Sequence, residues 1–183
     1  MARLFRAWRS SRARRPAESL IFKAPDGLFG LSIPTPVVRK ILGYCARELP
    51  NETGGILIGR YNESLNMALV SEATPAPLDS RAGRTWFYRG TQGLSKRLNK
   101  AWQDGLYYLG EWHFHPLADS TPSETDRRQL RDIAKNERYH CADPLLLIVG
   151  GRPYRNWLAS SYVFPRSKPE IKLLSQPVKS AEQ

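Results

Sequence analysis

Gly110-Glu111-Trp112-His113-Phe114-His115-Pro116, followed after a short polar stretch by Pro122-Ser123-Glu124-Thr125-Asp126, decides how this chain is read. Two of its three histidines stand there, one residue apart. The residues leading in, Leu106-Tyr107-Tyr108-Leu109, are aromatic and aliphatic, so the run predicts a buried β-strand. Side chains two apart on a strand share a face. His113 and His115 therefore project together, with Phe114 on the opposite side. Pro116 ends the strand, and Asp126 returns after a loop that can fold back on the pair. Two imidazoles and a carboxylate make a three-ligand zinc set that leaves a fourth position for water, the catalytic pattern rather than the structural one. A histidine on a strand is ordinarily a core or edge residue, and Ser-x-x-Asp before a helix is ordinarily a cap. The His-x-His, the proline and the downstream Ser-x-x-Asp in combination favour the metal.

A second carboxylate lies upstream. Glu52 stands in Asn51-Glu52-Thr53-Gly54-Gly55-Ile56-Leu57-Ile58-Gly59, at the mouth of a short apolar strand whose glycines permit close backbone approach beside a site. With Glu52 in place, and with Ser123 and Asp126 eight and eleven residues after His115, the chain resembles the JAMM (MPN-type) zinc metalloproteases over about residues 20 to 165. The resemblance implies that His113, His115 and Asp126 bind Zn2+, that Glu52 is the general base, and that Ser123 helps hold the developing oxyanion. It implies an α/β fold, a single JAMM/MPN-type domain with a mixed, curved β-sheet flanked by helices. It also implies cleavage after the C-terminal glycine of a ubiquitin-like protein, or release of a ubiquitin-like-conjugated protein. An extended tail of that kind can add as a strand to a sheet edge beside the site.

Residues 109–116 and the earlier Phe87-Tyr88-Arg89-Gly90 carry a narrower likeness. They resemble bacterial members encoded beside ubiquitin-like conjugation enzymes in antiphage (CBASS-type) operons. Neighbouring activating and conjugating enzymes are then expected partners, and a conjugated signalling enzyme an expected substrate. A sulfur-carrier precursor peptidase and a catalytically silent MPN-type scaffold stay open as alternatives. A zinc nucleobase deaminase is excluded, because it needs His-x-Glu and Pro-Cys-x-x-Cys, which this chain lacks.

The length of 183 residues is that of one domain, and no apolar run approaches the ~20 residues of a membrane-crossing helix. The expected division is a basic, disordered arm over 1–19, the catalytic domain over 20–165 and a flexible tail over 166–183. The net charge of +11 raises the question of nucleic acid, but its distribution answers it. Arg3, Arg6, Arg9, Arg12, Arg14 and Arg15 all precede the first acid, Glu18. Six of the eleven surplus charges therefore precede Glu18, and nucleic acid is not expected as the main partner. Cys45 and Cys141 are too few for a disulfide framework, no secretory signal opens the chain, and the cytoplasm is the expected location.

Periodicity predicts the remaining elements. Strands are expected over 19–22 and 28–33, then a helix with Thr35 as N-cap and Val37, Val38, Ile41, Leu42, Cys45 and Leu49 inward. Strands over 54–60 and 65–71 form a hairpin, and the polar, proline-rich 74–83 reads as a surface connector. Residues 85–88 are strongly β-like. A helix over 91–103 is expected to face the core with Leu94, Leu98, Ala101 and Trp102, and another over 123–137 with Leu130, Ile133 and Ala134, its Arg127, Arg128 and Arg131 in water. Residues 144–150 predict a strand buried on both faces, and 157–164 the last strand.

Overall fold

A computed structural model describes residues 19–177. The arm expected over 1–19 lies outside these except for Ser19, which opens the first strand. That strand, β1 (Ser19–Lys23), pairs antiparallel with β2 (Gly30–Pro34). Helix α1 (Thr35–Glu48) starts one residue earlier than expected, with Pro34 in the cap position, and buries Val37, Ile41, Leu42 and Cys45. The hairpin of β3 (Thr53–Tyr61) and β4 (Ala68–Ala73) follows. Two short strands, β5 (Arg81–Ala82) and β6 (Phe87–Tyr88), form a separate ribbon. Next come α2 (Leu94–Gln103), β7 (Tyr107–Pro116), α3 (Glu124–Lys135) and a 3-10 turn at Glu137–Tyr139. The described residues close with β8 (Leu145–Arg152), β9 (Asn156–Val163) and β10 (Ile171–Ser175).

The α/β class and the mixed sheet hold: β7–β8 and β2–β4 are parallel and the other pairs antiparallel. The curvature goes further than the expected curved sheet. The sheet closes into a barrel in the order β1-β10-β9-β8-β7-β3-β4-β2. The strand that closes it is β10, inside the stretch 166–183 expected to be a tail. Its alternation is short: Leu173 is buried while Lys172 and Leu174 face out. Flanking prolines mask so brief a pattern, but pairing with β9 on one side and β1 on the other gives its backbone groups partners.

Two apolar layers sit on the two faces of the sheet. The inner one joins α1 to Leu31, Leu57, Trp112, Phe114, Leu147 and Leu173. The outer one packs α2 and α3 against Ile56, Ile58, Leu146 and Ile148. Three expectations shift here. Trp102 is 66% exposed and meets the edge of Tyr107 at 5.2 Å rather than the core, so α2 packs through Leu94, Leu98 and Ala101 alone. Arg127 and Arg131 are not simply in water, since both pair with Glu170, at 2.7 and 3.1 Å, and tie α3 to the approach of β10. The aromatic run at 85–88 lends only Phe87 and Tyr88 to a ribbon, leaving Trp86 and Tyr88 exposed.

Truncating Leu173 in the closing strand removes a buried side chain from a packed layer. Leu173→Ala should lower stability by about 2–4 kcal/mol in denaturant titration. A loss below about 0.5 kcal/mol, the size of an ordinary surface change, would show that β10 does not hold the barrel shut.

Candidate metal centre

The site grows from the pairing of β3 with β7. In that register Thr53 opposes Phe114 and Gly54 opposes His113. Glu52 directly precedes β3, its N–H donating to the Gly83 carbonyl, and its carboxylate lies within the field of His115, Asp126 and His113. Along β7, Trp112 and Phe114 enter the inner layer, while Glu111, His113 and His115 face the other way, as alternation requires. Gly54 is needed where it stands. A Cβ there would lie 2.5 Å from the Trp112 carbonyl oxygen, 2.8 Å from the Phe87 ring and 2.9 Å from His113 Cδ2. Its absence lets the His113 ring lie close over β3, with Phe87 packed edge-on at 5.6 Å between centroids.

The fourth and fifth residues, Ser123 and Asp126, arrive on a helix cap. Ser123 Oγ accepts the Asp126 N–H at 3.2 Å, and Asp126 Oδ2 accepts the Ser123 N–H at 2.7 Å, a reciprocal capping box at the start of α3. The same carboxylate faces the histidines. Asp126 Oδ1 lies 2.6 Å from His113 Nδ1, and Oδ2 lies 3.4 Å from His115 Nε2. The Ser123 hydroxyl donates to Oδ2 at 2.7 Å. Capping thus aims the Asp126 carboxylate at the two histidines.

Electrostatics follow from this crowding. Burial pushes the Asp126 carboxyl up, but hydrogen bonds from His113, His115 and Ser123 outweigh it and hold it far below the usual carboxylate range. Burial pulls His113 down, yet its hydrogen bonds to Asp126 and Glu111 and their charges carry it up to about 9. Half-buried Glu52 is raised, first by burial and further by Asp126, against the opposing pull of His115 and His113. A carboxylate with raised proton affinity is suited to general-base work near neutral pH.

Among the described residues no three His, Cys, Asp or Glu side chains are spread around one centre as ligands. His113 and Asp126 instead grip each other directly. The donor chemistry nevertheless fits zinc. Two imidazole nitrogens and a carboxylate oxygen are a set that zinc takes, and tetrahedral ligands at ~2.1 Å from the ion stand roughly 3.4 Å apart. The His115–Asp126 separation is already 3.4 Å. The three side chains are buried, with Glu52 alongside. All five residues singled out by spacing therefore come together.

Both cysteines are set aside by burial, which pushes the Cys141 thiol up to about 12 and Cys45 further still, so neither is a thiolate at neutral pH. His140 is on the surface while Cys141 is buried.

Spacing missed four neighbours of the centre. Glu111, 0% exposed, takes both Arg89 Nε and Nη2 on one oxygen, at 3.0 and 2.7 Å, and Gln129 Nε2 on the other at 2.7 Å. Phe87 is the fourth. Burial pushes Glu111 up, and the His113 hydrogen bond and the Arg89 charge more than reverse it, holding the carboxyl below its usual range. The available signal was Glu111 itself: an acid inside an apolar strand demands a buried partner.

The family profile described as prokaryotic homologs of the JAB domain matches residues 34–160. A CD-NTase/cGAS isopeptidase of Enterobacter hormaechei is 40% identical over 164 residues, 90% of this chain and 91% of that protein. A probable metalloprotease, y4qB, of Sinorhizobium fredii is 29% identical over 135 residues, 72% of this chain and 81% of that protein. The solution structure of a protein from Desulfitobacterium hafniense shares the fold, with a TM-score of 0.55 at 17% identity over 81% of this chain and 91% of that one.

Removing the cap oxygen separates its structural share from any catalytic one. Ser123→Ala should cost about 1 kcal/mol in thermal or denaturant unfolding, because the Asp126 N–H loses its acceptor. Unchanged stability would mean that the cap does not anchor α3.

Proposed function

The chain belongs to the prokaryotic JAB-domain family, and on that premise we propose that it is a zinc-dependent isopeptidase. Its bond would be the amide after the C-terminal glycine of a ubiquitin-like protein, or one joining a CD-NTase-type signalling enzyme to a conjugate, in bacterial antiphage defence. The observation that carries this reading is the convergence of Glu52, His113, His115, Ser123 and Asp126 from the mouth of β3, the end of β7 and the cap of α3.

His113, His115 and Asp126 are the residues that would hold the ion. Bound there, zinc supplies hydroxide near neutral pH and polarises the scissile carbonyl. Glu52, within the field of His115 and raised in proton affinity, takes the proton of the attacking water and later delivers it to the leaving amine. The Ser123 hydroxyl rests on Asp126 Oδ2 and can turn about its single rotatable bond to donate to the oxyanion. No side chain becomes covalently attached. The pairs that close the barrel are short, two residues between β2 and β4 and two between β1 and β10. The separate β5–β6 ribbon, whose Phe87 touches His113, offers an incoming extended tail an edge beside the site.

Metal analysis of purified protein should return one zinc per chain, and His115→Ala should abolish it; zinc-free wild type, or zinc retained by the variant, would overturn the ligand assignment. Glu52→Gln should keep zinc and fold while slowing cleavage by at least about 10²-fold. The substrate is a reporter joined by an amide to the C-terminal tail of a CD-NTase-type protein, run beside unfolded casein. Wild-type rates in Glu52→Gln would remove Glu52 from catalysis, and equal cleavage of the two substrates would make the protein a general metallopeptidase.

A further inference from the structure

We propose that Glu111 is the positioning residue of this centre: its Oε2 accepts the Nε2–H of His113 and so turns Nδ1 towards the metal. The proposal rests on the zinc reading above and extends it to a residue outside the ligand set.

Glu111 precedes His113 by two residues on the same face of β7, and it is completely buried. A buried carboxylate is costly unless its oxygens are satisfied. Here the two oxygens have different partners. Oε1 takes Arg89 Nε at 3.0 Å and Nη2 at 2.7 Å, with the Tyr108 hydroxyl at 3.3 Å. Those donors satisfy the charge by themselves. Oε2 takes Gln129 Nε2 at 2.7 Å and stands 3.4 Å from His113 Nε2.

The imidazole is therefore held between two carboxylates, Glu111 at Nε2 and Asp126 at Nδ1. A neutral imidazole has one proton to place. The 2.6 Å contact with Asp126 Oδ1 needs a proton on Nδ1, which an ion bound there would replace, while Glu111 keeps the remaining proton on Nε2. Carboxylates behind metal-bound histidines act in this way, setting the tautomer and the ring angle together.

Glu111 also joins the three elements that build the centre. Arg89 directly follows β6, whose Phe87 packs on the His113 ring. Gln129 lies three residues after Asp126, on the same side of α3. One carboxylate thus sets strand, helix and ribbon relative to one another around His113.

Two measurements test this. In 15N-labelled, zinc-loaded wild-type protein, the long-range 1H–15N spectrum of the His113 ring should show the proton on Nε2 and the metal on Nδ1. The reverse assignment overturns the proposal and requires no variant to fold. In Glu111→Gln an amide N–H can face Nε2 and favour the wrong tautomer, so the zinc dissociation constant from chelator competition should rise about 10–100-fold. An unchanged constant overturns the proposal, while zinc-free wild type overturns the zinc reading with it. Zinc-bound wild type with the proton on Nδ1 would remove Glu111 alone.

Discussion

The antiparallel register between β3 and β7 is the constraint from which the rest of the molecule follows. It runs from Thr53 opposite Phe114 to Gly59 opposite Tyr107, with one shift between Leu57 and Ile58. Two glycines lie under the far end of β7, and a Cβ at either would collide with Trp112 or its neighbours. A slip of one residue would exchange the two faces of β7, sending His113 and His115 into the inner layer and Trp112 and Phe114 out. Core and centre are thus specified by one pairing, and neither can be altered without the other.

What the sequence disclosed well was local. The two-residue period of a strand places His113 and His115 on one face, and the cap signature places Asp126 at the head of a helix; each needs only a few neighbouring residues to be read. The apolar runs of β3, β7 and β8 are similarly self-evident. What escaped was non-local. Nothing near Arg89 says that its partner is Glu111, twenty-two residues on in another element. Nothing near Ile171-Lys172-Leu173 says that two strands await it, because its stability comes from those neighbours and not from its own brief alternation. Trp102 fits a helical stripe and yet stays outside, since α2 finds enough cover in smaller residues.

The capping box shows how one carboxylate closes a helix end and faces a histidine at once. Asp126 has two oxygens, and one of them suffices to close the helix end with the Ser123 N–H. The other is free to face His113. The cap fixes the backbone and side-chain angle of a residue that must arrive at the histidines with little freedom, so the energy that starts the helix also orients the acid. Glu111 repeats the economy on a larger scale, with one oxygen for a charge pair and the other for the ring of His113.

The closure of the barrel by β10 has a consequence for how the chain comes to be folded. β1 and β10 are neighbours, with Phe22 opposite Ser175 and Lys23 opposite Leu174, although almost the whole described sequence separates them. During synthesis β3, β7 and α3 all emerge before β10, so the centre can assemble while the sheet still has two unpaired rims. Pairings of such long sequence separation form late and slowly. In that interval the nascent protein exposes strand edges that the finished one conceals, and it is then, rather than after completion, that aggregation competes with folding.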